Sequence, residues 1–303
     1  MRPRDLILPL VLCIASPLTA RTAPQEAAQE PATITAAEYG VVLNLSGKQR
    51  MLTQKMSKEV LLIALGVEPE ENRANLESTA SLFDRTLTGL RKGDADLGLP
   101  PTSEGRILKQ LDRVEKIWED FRPTIDGVIE TGRVDAAAIE ATAIENLPLL
   151  KQMNKCVKLY EKEAIASGLE ADPSLAVSIS LAGKQRMLSQ KMSKEFLLMA
   201  LGHDREGNRL NLIETSSLFD TTLTGLLDGD ENLELPGTDD EGIRAQLGKV
   251  RELWTGFHEA LAIGTRSDTT EIPDENVRVV AEGNLPLLAE MNAAVGMFEA
   301  LAR

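Results

Sequence analysis

The chain contains one long segment twice. Displacing the sequence by 136 positions lays LSGKQRMLTQKMSKEVLLIALG, from Leu45, over LAGKQRMLSQKMSKEFLLMALG, from Leu181. The same displacement superposes SLFDRTLTGL from Ser81 on SLFDTTLTGL from Ser217, and Trp118 on Trp254. Only NLPLLKQMN at Asn146 and NLPLLAEMN at Asn284 fall out of step, by two residues, which puts a small insertion between Thr265 and Pro273. A repeat this dense requires both copies to adopt the same fold.

Within each copy, apolar residues recur at three- and four-residue spacing and β-branched alternation is missing, so the pattern predicts helices rather than strands. Helices are expected near 35–66, 70–92, 103–131 and 135–167, and again near 174–202, 205–227, 239–264 and 274–301. Gly66 with Pro69, the KGDADLGLPP loop, and Thr131 with Gly132 punctuate the first copy. Short connections favour antiparallel neighbours, so the expected fold is all-α, two tandem antiparallel four-helix bundles over 35–168 and 174–303. Pro148 and Pro286 fall inside the fourth helices, where each should start or kink a segment.

The first residues place Arg2 and Arg4 ahead of an apolar stretch from Leu6 to Ala15, followed by small residues to Ala20 and Ala23. This order predicts a signal peptide over residues 1–23, a flexible lead over 24–34, and a soluble exported product in the periplasm without a membrane span. Removing the signal leaves Cys156 alone, so no internal disulfide is expected. The formal charge of -14 and an aromatic content of 3% argue against nucleic acid as a partner, since neither a basic grip nor stacking platforms are available.

Projected at about 100° per residue, the first helix of each copy separates into three faces. Leu45, Leu52, Met56, Val60 and Ile63 form an apolar side. Lys48, Lys55 and Glu59 form a charged side, expected to be solvated. Between them runs a stripe of Ser46, Gly47, Arg50, Thr53, Gln54 and Ser57, reproduced as Ala182, Gly183, Arg186, Ser189, Gln190 and Ser193. Small residues permit close approach, hydroxyls and amides supply uncharged donors, and the arginine presents a planar fork. If buried, Arg50 and Arg186 need an acceptor: a small planar anion, or a protein carboxylate across a polar helix seam.

NLSGKQRMLTQKMSKE and SLAGKQRMLSQKMSKE resemble the opening motif of the PilJ-type N-terminal domain, related to the sensor regions of NarX-like nitrate and nitrite kinases. NLPLLKQMN and NLPLLAEMN are similar to the start of that family's last helix, so each copy resembles one complete domain. The resemblance implies a four-helix sensor bundle outside the cytoplasmic membrane. It also implies an anion held by the arginine of a Gly-x-x-Arg-Met element where two first helices meet. Gly47, Arg50 and Met51 match that element, as do Gly183, Arg186 and Met187. Lys48-Gln49 and Lys184-Gln185 fill its middle positions as in the PilJ-like branch, so the resemblance does not by itself assign nitrate.

These readings make Arg50, Arg186, Gly47, Gly183, Gln54, Gln190, Ser57 and Ser193 the candidate ligand-binding residues for a small anion, nitrate-like or carboxylate. Such receptors normally continue into a membrane span and a signalling module. Here Arg303 follows the second bundle directly, so two joined copies imitating a receptor dimer, with a membrane receptor or sensor as signalling partner, is the expected arrangement. The alternative is a helical interaction module that docks on a membrane receptor or pilus-linked assembly without a small ligand. Catalysis, cofactors and metals find little support. His203 and His258 do not repeat between copies, and Asp228, Asp230, Asn232 and Glu234 lack the glycine and terminal glutamate of a calcium loop. Trp118, Trp254, Phe83 and Phe219 are expected to pack the cores, and Asn146 and Asn284 to cap the helices their prolines begin, with a lesser option of reaching a ligand.

Overall fold

Thr35 starts the first helix as its N-cap: its side chain accepts from the Glu38 backbone N–H while the Glu38 carboxylate accepts from the Thr35 backbone, a reciprocal capping box. The computed structural model describes residues 34–166 and 173–301; the expected signal peptide and all but the end of the flexible lead lie outside them. Helix α1 spans Ala36–Ala64, α2 Pro69–Lys92, α3 Gly105–Thr131, α4 Ala136–Ile144 and α5 Asn146–Ala166. The second copy repeats the order as α6 Pro173–Ala200, α7 Arg205–Asp228, α8 Glu241–Thr265 and α9 Asp274–Ala300. Among the described residues the fold is all-α, two tandem four-helix bundles. In the first copy the fourth helix is broken at Glu145 into α4 and α5, just ahead of Pro148, whereas α9 runs through Pro286 unbroken.

Each bundle is packed around rings from its second and third helices. Phe83 meets Trp118 at 4.7 Å between centroids and Phe219 meets Trp254 at 4.4 Å, the core role their positions predict. The indole N–H groups are satisfied by Asp84 at 2.7 Å and Asp220 at 3.1 Å. Phe83, Phe121, Phe219, Leu76 and Leu111 are fully buried, each such side chain stabilising the fold by about 1.5–3 kcal/mol relative to exposure.

The two copies are not separate bodies, because their described residues fall in one compact unit. The motif helices α1 and α6 pack on each other more extensively than any other pair. In α1 nearly every position from Tyr39 to Ile63 is buried, as expected of a helix covered by its own bundle on one side and another bundle on the other. The charged side of the motif helix is consequently only partly solvated, Lys48 and Lys55 being half-buried. Glu59 is buried, pairs with Lys55 and accepts from Thr79 at 3.2 Å, and Glu195 repeats this with Lys191 and Thr215 at 3.3 Å.

Candidate ligand site between the motif helices

Helices α1 and α6 come close to one another at Gly47 and Gly183. A Cβ added to Gly47 would sit 3.9 Å from the Gly183 Cα, and one added to Gly183 the same distance from the Gly47 Cα. Three residues on, both arginines bend back over this crossing. The Gly47 Cβ position would lie 3.4 Å from Arg50 Nη2 and 3.5 Å from Arg186 Nη2, and the Gly183 position 3.3 Å from Arg186 Nη2 and 3.5 Å from Arg50 Nη2. The glycines therefore keep a space about the size of one methyl group beside two guanidiniums.

The hydrogen bonds around the gap follow a pseudo-two-fold pattern. Arg50 Nη2 donates to the Ser180 carbonyl at 2.8 Å and Arg186 Nη2 to the Asn44 carbonyl at 3.0 Å, each reaching the opposite motif helix. Arg50 Nη1 donates to Asn154 Oδ1 at 3.4 Å and Arg186 Nη1 to Asn292 Oδ1 at 3.2 Å, each on the last helix of its own bundle. The symmetry breaks at Asn44, whose counterpart is Ser180: its side-chain oxygen also accepts from Arg186 at 2.9 Å, and its amide donates to Glu299.

Arg50 and Arg186 are 4% and 2% exposed, yet among the described residues neither has a carboxylate within ion-pair distance. Both Nε atoms are buried without an acceptor. Burial pulls Arg50 down to about 10 against the pull of Glu161. It pulls Arg186 to about 9, helped by Arg50 and opposed by Glu299. Lys48 is lowered by burial and by Arg186, and Lys184 by burial, Arg50 and Lys158, so further cations crowd the same place. A guanidinium stays charged near neutrality, so concentrated positive charge bonded only to neutral oxygens is an expensive arrangement. An oxyanion between the two guanidiniums would offset that cost.

The other candidate residues belong to a neighbouring network one to two turns along the same helices. Gln54 Nε2 donates to Asn146 Oδ1 at 2.7 Å, and Asn146 Nδ2 to the Thr53 carbonyl and Ser57 Oγ, both at 2.7 Å. Asn284 donates likewise to the Ser189 carbonyl at 3.1 Å and Ser193 Oγ at 2.8 Å, while Gln190 donates to Ser189 Oγ at 3.2 Å. Asn146 and Asn284 thus bind the motif helices side-on rather than capping their own. Lys58 Nζ crosses to Asn284 Oδ1 at 2.9 Å and Lys194 Nζ to Asn146 Oδ1 at 3.2 Å, tying each half to the other. The structure therefore brings Arg50, Arg186, Gly47 and Gly183 together and engages the Ser57 and Ser193 hydroxyls and the Gln54 and Gln190 amide nitrogens in bonds of their own, leaving both glutamine Oε1 atoms buried without a donor among the described residues. Asn44, Asn154 and Asn292 were not among the expected residues, although the repeated ends of NLPLLKQMN and NLPLLAEMN mark the last two.

The remaining sequence candidates lie away from this seam. Asp230 forms a turn, accepting from the Asn232 and Leu233 amides at 2.8 and 3.1 Å. His203 Nδ1 stands 3.6 Å from Glu140, and His258 stacks on Trp254 at 4.9 Å. Cys156 is buried, which pushes its thiol up to about 12 and makes it unreactive.

The chain is 30% identical over 124 residues to the methyl-accepting chemotaxis protein McpN of Pseudomonas aeruginosa, a match covering 40% of this chain and 22% of that protein. The chain therefore spans under a quarter of that relative's length. Among solved structures it is similar to the ligand-binding domain of the Pseudomonas aeruginosa nitrate receptor McpN, at 28% identity, covering 41% of this chain and 96% of that one, with a TM-score of 0.35. Two segments, residues 36–144 and 171–279, match the family of the type IV pili methyl-accepting chemotaxis transducer N-terminal domain, PilJ, and the chain belongs to that family twice over.

Proposed function

We propose that this chain is an exported sensory protein that binds one small planar oxyanion in the gap between Arg50 and Arg186. The observation carrying this reading is the pair of buried guanidiniums that share one point without a carboxylate partner. A merely structural seam would have paired each arginine with an acidic residue of a neighbouring helix; here, among the described residues, amide and carbonyl oxygens are the direct partners, and Glu161 and Glu299 act only from beyond ion-pair distance. Planar forks facing one another suit a trigonal oxyanion, which accepts in-plane donors from both sides. The named ligand of the relative, nitrate, has this shape and charge, and small carboxylates share its planar two-oxygen edge.

Export to the periplasm rests on the basic and then apolar order of residues 1–23. No described helix is long and apolar enough to cross a membrane. A membrane receptor or sensor that reads the packing of the two halves is the signalling partner of this proposal.

Isothermal titration of the purified chain with nitrate, nitrite, formate and acetate tests the reading. At least one is expected to bind, and Arg50→Ala with Arg186→Ala to abolish that binding. Failure of all four to bind, or undiminished binding by the double variant, overturns it.

A further inference from the structure

A second cavity, of about 370 Å3, opens where the turn between α1 and α2 meets α9 of the other half. Lys58 and Arg278 contribute to its wall, as do Glu68, Glu71, Glu282 and Leu285. Its volume falls in the range of small-molecule sites. It lies beyond the arginine gap, two turns along α1 from Arg50, and does not depend on the reading above.

The cavity carries charges of both signs: Lys58 is buried, while Glu68, Glu71, Arg278 and Glu282 are exposed along its wall. Lys58 has three donors, of which Asn284 Oδ1 takes one at 2.9 Å. Neither Lys58 nor Arg278 has a carboxylate within ion-pair distance among the described residues, and Glu68, Glu71 and Glu282 form no ion pair there either. A lone anion entering the cavity would meet three carboxylates, and a lone cation would meet the lysine and the guanidinium. A molecule carrying both charges satisfies both sets, with its hydrocarbon part against Leu285, which is 41% exposed.

The pseudo-symmetric position in the other half acts as an internal control. Displacements of 136 and 138 residues map Lys58 to Lys194, Glu68 to Asp204, Glu71 to Gly207, Arg278 to Glu140 and Glu282 to Ile144. The buried lysine is kept, but the guanidinium is replaced by an acid that stands 3.6 Å from His203, and two of the three carboxylates are gone. This set of charges therefore occurs once, although the fold offers it two places.

We infer that the cavity between the α1–α2 turn and α9 is a second ligand site, for a small zwitterion of the α-amino acid class. Its carboxylate would lie towards Lys58 and Arg278, and its ammonium towards Glu68, Glu71 and Glu282.

Isothermal titration of the full chain with a panel of free α-amino acids tests this, with succinate and putrescine as single-sign controls. At least one amino acid should bind in preference to both controls. Arg278→Glu, an exposed substitution that installs the other half's residue, should weaken that binding at least about tenfold, with the helical circular dichroism unchanged. Arg50→Ala should leave it as it was. The inference is overturned if no amino acid binds, if a control binds as well as the amino acids, or if the binding ignores Arg278→Glu or falls with Arg50→Ala. Titrating the Arg278→Glu protein with whichever of nitrate, nitrite, formate and acetate the wild-type chain binds separates the two sites, since that binding should persist whichever way the amino-acid result falls.

Discussion

Gly47 and Gly183 are as necessary to the proposed anion site as the arginines they face. Glycine within a helix costs about 1 kcal/mol relative to alanine, so two glycines in the middle of buried helices need a reason. Both lie where the two helices and the two guanidiniums converge, and a methyl group at either position would stand within 3.5 Å of both Nη2 atoms. At Gly47 those distances are 3.4 and 3.5 Å, ordinary contacts that the helices can accept. Gly47→Ala should therefore leave helicity and thermal stability intact while its methyl takes the space an oxyanion needs, weakening anion affinity about tenfold or more, roughly 1.4 kcal/mol. Titration calorimetry beside a thermal melt checks this, and undiminished affinity in a folded variant would place the anion elsewhere.

The helices are the level at which the sequence was most legible. Spacing, glycine and proline placed the outer ends of the expected helices within about two residues of the structure, a normal uncertainty for such boundaries, because termini carry local chemistry such as Thr35 with Glu38; the break at Glu145 is legible only as a start or kink at Pro148. What the projection of a single helix did not reveal was how many sides of it would be covered. Lys55 and Glu59 read as a solvated face, yet α6 and α2 enclose α1, and Glu59 survives there only through Lys55 and Thr79. Lys58 likewise counts in the sequence only towards the net positive charge of the motif helix, and becomes a buried cross-link once the other half supplies Asn284. That a repeated arginine lay in a stripe of small residues was visible; that the two stripes face one another depends on contacts 130 and 142 residues apart in sequence.

The cross-links of α1 to α9 and of α6 to α5 have a pH signature. Burial pulls Lys58 and Lys194 from the ordinary 10.5 down to about 8, against the opposing pull of Glu59 and Glu195. Below about pH 8 both folded and unfolded chains carry the protons, and the full cost of burying two ammonium groups is present. Between about 8 and 10.5 the unfolded chain holds protons that the folded chain has shed, so this cost is relieved and stability contributed by the lysines rises with pH. Relative to Lys58→Met with Lys194→Met, the wild-type chain should gain on the order of 1 kcal/mol per pH unit per lysine across that window. Urea denaturation at several pH values measures the difference, and a flat difference would mean that water reaches the ammonium groups.

On the scale of the whole molecule, duplication turns an interface between two domains into the interior of one chain. A site shared by two separate subunits exists only while they are associated, so its occupancy depends on their concentration. Here the Arg50 and Arg186 halves are joined covalently and packed in one compact unit, which fixes their effective concentration independently of dilution. The departure of Asn44 from Ser180 and the Asn44 bond to Glu299 further make the two sides of the gap unequal, an option closed to two identical subunits sharing one site. The anion should bind with a stoichiometry of one per chain, and its affinity should not change over a wide dilution series of the protein. Saturating anion should also raise the melting temperature to the same extent in dilute and concentrated samples, since ligand stabilisation then depends on free ligand and affinity alone. Titration calorimetry combined with scanning fluorimetry at several protein concentrations checks both, and an affinity that weakens on dilution, or one anion per two chains, would show that the working site is assembled between molecules instead of within one.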